Sequence, residues 1–574
     1  MWTDTHSLVV VAGCSALILY SLYCRLLPKP IPGIPYNKNA TKTIMGDLPS
    51  LGEALDNDLT IWRWVTDQVR LLKSPIIQVW LKPFGNPIVV VADYREAADA
   101  KLRRTKEFDR ANSLEHIFGP VLPEFHMLVK SANPTFKKHR RWLQDLMTTT
   151  FLHEVATEPI HKNVLELVAL WDRKLELAQG HPFEAFQDVY YTALDAVMTF
   201  TLGGDTPHMA LPAPLESVKS LDHIKYPRTP EEPAEFPEEN RNEFVSSILT
   251  IAESVEHARV SAAPGLLSWY MHKTPAMRKA LKVRDAFIDH AIDQSVQKLR
   301  TQEPIESAVD HMIYREQLFA KKEDRAPIYN SGGTHSEIFG FLMAGHETSA
   351  TTFSWGLKFL SDHPVVQKTL REELRERLSA ATEEGRQPTH DEIVKTSIPY
   401  LEATMEEILR LAGTVSVSDR EAICDTSLLG HQIPKGTNVI FSHIGPSMLE
   451  PAFDIPESLR SEKGIQADRQ RTWENSAYPH AEFRPERWLV PSDEKPGEVV
   501  FDSAAGPQLA FGLGVRACFG RRLAYLELRL LTAILFWNYE FLPCAPEYSS
   551  YKGLVGFTVK PRQCFVRISK VVNE

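Results

Sequence analysis

Cysteine is scarce, with 6 residues in 574. That is too few for a disulfide scaffold, so each thiol is left available as a ligand, a nucleophile or a small apolar side chain. A basic excess is also missing. The 64 lysines and arginines face 74 acidic residues, a net charge of -10, which excludes the chain as a whole from nucleic-acid binding. Long uncharged apolar runs are confined to one, Leu8–Cys24, so a polytopic membrane protein is excluded. No fixed-period repeat is present, which removes solenoids and propellers. What remains has 43% apolar and 24% charged residues, the balance of an ordinary globular protein. Length by itself allows about four domains.

The apolar run at the start reads as a separate object. Residues 1–7 form a short lumenal N-terminus, 8–27 a transmembrane anchor, 28–35 a spacer and 36–574 the body. As a helix, Leu8–Cys24 is about 25 Å long, at the short end for a span; Arg25 can snorkel so that Leu26 and Leu27 extend it. A cleaved signal peptide is the competing reading. Against it, Met1–His6 carries Asp4 and no lysine or arginine, and no small-residue cleavage site follows. Arg25 and Lys29 lie after the run, which places the body in the cytosol. The sequence PKPIPGIP then denies helix hydrogen bonds and makes a stiff, non-helical spacer.

Along the body the pattern is mainly α with small β-sheets (α+β). Helical spacing recurs at Glu96–Thr105, Pro159–Ala178 and Asp188–Leu202, and short β-rich runs at Ile76–Leu81 and Ile88–Val91 read as a hairpin. A third β-rich run is Val439–Phe441. Pro227–Glu238 and Ile455–His480 read as long loops. Thr334 and Glu337 have the spacing of a capping box, and a helix follows to His363, before Pro364. Its first half is apolar on nearly every side, so it runs through the middle of a domain. It contains Ala344-Gly345-His346-Glu347-Thr348. A zinc-protease motif would need a second histidine at position 350, where alanine stands.

The strongest chemical signal is Phe511-Gly512-Leu-Gly514-Val-Arg516-Ala-Cys518-Phe-Gly520. Gly512-x-Gly514-x-x-Ala517 mimics a dinucleotide fingerprint, but no strand precedes it and no acidic residue follows about 20 positions on. A lone cysteine is more often a small buried hydrophobe. The better reading is a glycine-shaped loop presenting one thiolate at the start of a helix, Arg521–Trp537, whose dipole favours the charge. A single axial thiolate is a way to hold haem iron for O–O cleavage.

On these residues the chain resembles the cytochrome P-450 family, whose haem loop Phe-x-x-Gly-x-Arg-x-Cys-x-Gly is complete here. The resemblance extends to Ala344, Gly345, Glu347 and Thr348 in the long helix, to Glu407-Ile-Leu-Arg410, to Phe483-Arg-Pro485-Glu486-Arg487-Trp488, and to the anchor with its proline spacer, so it covers essentially the whole chain. It implies a single domain closing around haem b, with Cys518 as the axial ligand and Phe511, Gly512 and Ala344 against the cofactor. It also implies that Arg516, Arg420 and Arg140 meet the propionates. Arg140 ends a degraded Trp-Arg-x-x-Arg pattern, here Phe136-Lys137-Lys-His-Arg140, and the proline usual near Leu411–Gly413 is missing. Glu407, Arg410 and Arg487 are implied to be structural; read from spacing alone, Glu407 and Arg410 make a surface pair worth under about 1 kcal/mol. Lys137, Lys138 and Arg141 are either solvated surface or a basic patch that docks an acidic electron donor.

The implied activity is that of a membrane-anchored haem-thiolate monooxygenase, an oxidoreductase that uses O2 and NADPH-derived electrons on a small apolar molecule. Gly345 is read as making room for O2, while Glu347 and Thr348 relay protons; alternatively, Thr348 back-bonds to its own helix. A membrane-bound NADPH-cytochrome reductase, with cytochrome b5 as a second donor, is the implied partner, and the endoplasmic reticulum membrane the implied location. Pocket walls are expected from Ser113–Leu128, from Leu202–Leu266 and from Thr414–Ser418. The phrasing of Asp454–Trp488 resembles filamentous-fungal members that tailor secondary metabolites. Two alternatives stay open: a haem-thiolate isomerase or dehydratase, and a non-catalytic membrane-tethered haem-binding protein.

Overall fold

The first two β-rich runs pair as the expected hairpin. Strand β1 (Ile76–Val79) is antiparallel to β2 (Ile88–Val91), with Ile76 opposite Val91 and Val79 opposite Ile88. The computed structural model describes residues 2–204, 208–237, 241–261, 263–465, 473 and 478–571. Two compact units can be distinguished within it, Met1–Ala111 with Val417–Glu474, and Asn112–Ser416 with Asn475–Glu574.

The first unit holds a five-stranded sheet. Strand β3 (Phe108–Asp109) and strand β4 (Val417–Ala422) pair antiparallel, β4 pairs antiparallel with β5 (Asn438–Ser442), and β5 lies parallel to β2. The expected Val439–Phe441 run is the centre of β5. Arg420 lies buried on β4, one of its nitrogens donating to the Asp419 carbonyl at 2.7 Å. The start of the chain is helical, as α1 (Trp2–Leu26) with Arg25 in its last turn, and its side chains from Val10 onward are exposed. Among the described residues no helix is long and apolar enough to cross a membrane. The proline segment is non-helical, as expected, but it does not stand free. Ile31 and Ile34 are buried, and the Gln78 side chain bonds the Ile31 N–H and the Ile31 and Ile34 carbonyls at 2.8–2.9 Å. Most of the Ile455–His480 excursion falls outside the described residues.

The second unit is a helical body around one continuous apolar core. The helices that place the site are α2 (Pro134–Trp142), α3 (Phe186–Leu202), α4 (Glu243–Val260), α5 (Gly332–Ser361), α6 (Pro399–Ala412) and α7 (Arg521–Asn538). Most of α5 is buried. Its 30 residues span about 45 Å, and it packs along α3, α6 and α7. The capping box expected at Thr334 and Glu337 is not used. Ser331 is the N-cap, its Oγ accepting from the Thr334 N–H at 3.1 Å, so the helix begins three residues earlier. That frees Glu337 for a tertiary role. A small hairpin, β6 (Gly553–Val555) and β7 (Val559–Pro561), lies against α5.

Candidate active site

The loop before α7 is shaped by glycine. Gly512 and Gly514 have φ of +61° and +73°, values that side chains disfavour. These turns fold the loop back, so that the Cys518 N–H donates to the Phe511 carbonyl at 2.7 Å and the Ala517 N–H to the Gly514 carbonyl at 2.9 Å. The thiol is thereby carried to the first turn of α7. Cys518 is solvent-accessible, yet enough protein surrounds it for desolvation to push its pKa up, against the opposing pull of the Gly520 N–H and the Arg521 guanidinium. It therefore lies at the floor of a recess. A bound metal cation supplies the positive charge that deprotonates such a thiol. All six cysteines are free, as expected, and the buried Cys564 is pushed up to about 12.

Helix α5 offers the complementary surface. In its middle turns Leu342, Met343, His346, Glu347, Ser349 and Ala350 are buried, whereas Phe341, Ala344, Gly345 and Thr348 are partly accessible. The spacing i, i+3, i+4, i+7 puts those four on one stripe. The Phe341 ring stacks on Phe519, the residue after Cys518, at 6.1 Å between centroids. A sulfur donor in a recess beside an accessible stripe of small residues fits a flat macrocycle with iron at its centre, so the residues present fit haem.

The cations beside the loop are held largely by protein. Arg516 Nε donates to Ser131 Oγ at 2.8 Å, a second nitrogen to the Val129 carbonyl, and the guanidinium lies 4.1 Å over the Phe136 ring. Arg140 lies 4.8 Å over the Phe519 ring, and burial lowers its pKa against the raising effect of Glu337. Lys137, Lys138 and Arg141 are exposed along α2, and Arg521 and Arg522 at the start of α7 are exposed as well.

Three residues of the long helix have partners that the sequence leaves open. Gly345 is assigned to making room for O2, but a Cβ there would meet Val197 Cγ2 on α3 at 2.6 Å. Its missing side chain serves close packing of α5 against α3. Thr348 Oγ1 donates to the Ala344 carbonyl at 3.0 Å, the back-bond to its own helix. Glu347 is buried, and its Oε1 accepts from Thr558 Oγ1 at 2.7 Å and from the Thr558 N–H at 3.3 Å. The hydrogen bonds of Glu347 and Thr348 thus run to different partners. His346 is not a metal ligand in waiting. Its Nδ1 donates to the Leu342 carbonyl, so Nε2 accepts from the Tyr190 hydroxyl at 2.7 Å, and burial pushes it down to about 4, which keeps it neutral.

Glu407 and Arg410 are fully buried rather than on the surface. Arg410 Nε and a terminal nitrogen donate to the two Glu407 oxygens at 2.8 Å each. Trp488 Nε1 and the Arg484 N–H donate to the same carboxylate at 2.9 Å, and Arg487 Nε lies 3.0 Å from it. The spacing shows the shared helix face; the burial that changes its energy comes from the 479–488 segment wrapped over it.

Two features escape sequence reasoning. Glu337, wholly buried in the second turn of α5, accepts from the His126 N–H at 2.8 Å, His126 Nδ1 at 2.7 Å and His139 Nδ1 at 2.8 Å. Burial alone would raise its pKa, but the two histidines outweigh it and hold the carboxyl below its ordinary value. The second feature is the loop Gly556–Thr558 between β6 and β7. Phe557 meets Phe118 edge-on at 5.2 Å, and the Val559 N–H donates to the Thr414 carbonyl at 2.9 Å. The hairpin thus meets the 113–128 and 414–416 segments, two of the expected pocket walls. These partners lie hundreds of residues away, and no local pattern marks them.

The comparisons with known proteins agree with this geometry. The family model "Cytochrome P450" matches residues 65–463 and 473–566. The chain is 37% identical over 579 residues to "Cytochrome P450 monooxygenase TRI13" of Fusarium sporotrichioides, covering 97% of this chain and 98% of that protein. It is 36% identical over 525 residues to "Cytochrome P450 monooxygenase xilC" of Penicillium rubens, covering 91% and 89%. It is 34% identical over 576 residues to "Cytochrome P450 monooxygenase GME11363" of Pestalotiopsis microspora, covering 99% of each.

Proposed function

The chain belongs to the cytochrome P450 family, and from that premise we propose how its residues carry out the reaction and on what kind of molecule. It is a haem-thiolate monooxygenase that oxidises a substrate with one atom of O2. The observation that carries the proposal is the accessible Cys518 in its recess beside the accessible stripe of α5. Cys518 holds the iron of haem b. Ala344, Phe511 and Gly512 meet the macrocycle, and Arg516 and Arg140 meet its propionates. Bound haem supplies the redox chemistry of O2 activation. The chain's own part is to bind, orient and protonate. Glu347 supplies a proton and Thr348 passes it on, turning its hydroxyl away from the Ala344 carbonyl to do so.

The substrate is a small apolar molecule, in keeping with the aromatic wall of Phe118 and Phe557. The fungal relatives favour a secondary metabolite. Electrons come from NADPH through a membrane-bound reductase, with cytochrome b5 as a second donor. The exposed Lys137, Lys138, Arg141, Arg521 and Arg522 form the docking face for their acidic surfaces. Residues 8–27 anchor the protein in the endoplasmic reticulum membrane, the apolar side chains exposed along α1 supporting this, with the body in the cytosol.

Two measurements test the reading. The dithionite-reduced protein with carbon monoxide gives the red-shifted absorption band of a thiolate-ligated haem, and Cys518→Ala loses it. If the band survives in the variant, Cys518 is not the ligand. Microsomes holding the protein and its reductase, given NADPH and a metabolite library, yield oxygenated products only when NADPH is present. Turnover of a peroxide substrate without reductant would instead establish an isomerase.

A further inference from the structure

The carboxyl of Glu347 does not point freely along its helix; the hairpin β6–β7 holds it. The hairpin loop has three residues, Gly556, Phe557 and Thr558, and is closed by the Gly556 N–H donating to the Thr558 carbonyl at 2.8 Å. Arg259 near the end of α4 donates to the Gly556 carbonyl, which pins the loop from outside. From inside, Trp355 Nε1 on α5 donates to the Val559 carbonyl at 2.7 Å. Thr558 is thereby fixed, completely buried, with its hydroxyl 2.7 Å and its N–H 3.3 Å from the same oxygen of Glu347.

The direction of these bonds follows from the groups. While Glu347 is ionised its oxygens only accept, so Thr558 then spends its one hydroxyl hydrogen on Glu347. The Thr351 hydroxyl, 3.0 Å away and one turn beyond Glu347, must then be the donor to Thr558 Oγ1. The chain Thr351 to Thr558 to Glu347 polarises in one sense and sets one orientation of the acid.

We propose that Thr558 is the positioning residue of the acid Glu347, setting where the proton is offered through a hairpin 211 residues away in sequence. This rests on the reading of Glu347 as the proton donor. It extends that reading by assigning the hairpin loop, which the motifs of the long helix leave out, to proton delivery as well as to the substrate wall.

The test uses the purified holoprotein and needs no substrate. Wild type, Thr558→Val, Thr558→Ser, Glu347→Gln and the Val/Gln double variant are reduced with dithionite and mixed with O2 in stopped flow, in H2O and in D2O. The carbon monoxide band of each confirms an intact haem site beforehand. Glu347→Gln and Thr558→Val are expected to change the reoxidation rate and its isotope effect in the same direction, by about fivefold for a hydrogen bond of about 1 kcal/mol. The double variant goes no further than Glu347→Gln, and Thr558→Ser stays within about twofold of wild type. If Thr558→Val loses the haem site, Thr558→Ala replaces it. A Thr558→Val protein that behaves as wild type while Glu347→Gln differs overturns the positioning role and leaves the acid in place. A Glu347→Gln protein indistinguishable from wild type overturns the acid itself. Failure of serine to restore the behaviour also sinks the proposal, since serine keeps both donors.

Discussion

Glu407 and Glu347 are both buried carboxylates, on helices α6 and α5 that pack together, yet the chain holds them in opposite ways. Glu407 accepts on both oxygens, from Arg410 twice, from Trp488 and from the Arg484 backbone, with Arg487 beside it. Every partner comes from α6 or from the wrapped 479–488 segment, and Arg410 and Arg487 are themselves bonded further out, to the His480 and Pro479 carbonyls. Glu347 has one oxygen taken by one residue, Thr558, on a three-residue loop. A carboxylate satisfied on all sides is a strut, because protonating it would break several bonds at once. A carboxylate held at one oxygen keeps its orientation and can still exchange a proton. On the proposed reading, a structural and a chemical acid stand in neighbouring helices, and their roles are separated by the number of donors each one meets.

The comparison breaks most visibly at Glu407. Removing one partner of a buried pair leaves uncompensated charge, so Glu407→Ala should cost about 3–5 kcal/mol and abolish stable haem incorporation. Expression with the carbon monoxide band as readout checks this; a Glu407→Ala protein with a full band would show that the brace is dispensable.

A smaller effect is expected at a third buried acid, Glu527 on α7. It is paired with Ser349 of α5, its Oε1 meets no donor, and burial pushes it up to about 8. In the folded state it keeps a proton that the unfolded chain gives up above about pH 4.5. Its contribution to stability is therefore complete below that pH and is lost as pH rises towards 8. Glu527→Gln should remove this slope and raise stability at pH 8 by on the order of 3 kcal/mol, with little change at pH 5. Thermal unfolding midpoints of both proteins across that range decide it. Parallel curves would mean that Glu527 is ionised throughout.

The smallest change sharpens the description of α5 itself. Ser331 caps the helix, so Ser331→Ala should cost about 1 kcal/mol. Thr334→Ala should cost less at this end, because Thr334 lies inside the helix and does not cap it. Equal losses from the two variants would restore the capping box that the sequence pattern implies.

Much of this was legible in the residues before any coordinates. The haem loop is a local object: its glycines, its cysteine and the helix after it are consecutive, and the structure keeps them so. The boundaries of the helices at 158–178, 186–202 and 521–538 follow the apolar period to within two residues of the expected ones. The same local logic misled at Thr334 and Glu337, whose spacing suits a cap but whose tertiary neighbours, His126 and His139, claim the glutamate instead.

The sequence by itself determined which reactive groups stand together locally: one cysteine on a glycine-shaped loop, a carboxyl and a hydroxyl on a long apolar helix, and a Glu-x-x-Arg pair, all set by residue type and short spacing. Only the tertiary structure decided what each group meets. Burial turned a nominal surface pair into a strut, and the β6–β7 hairpin brought Thr558 to Glu347 across 211 residues. The physical reason is that covalent spacing controls neighbours within a turn or a strand, whereas desolvation and the count of hydrogen-bond donors depend on segments that only folding brings together.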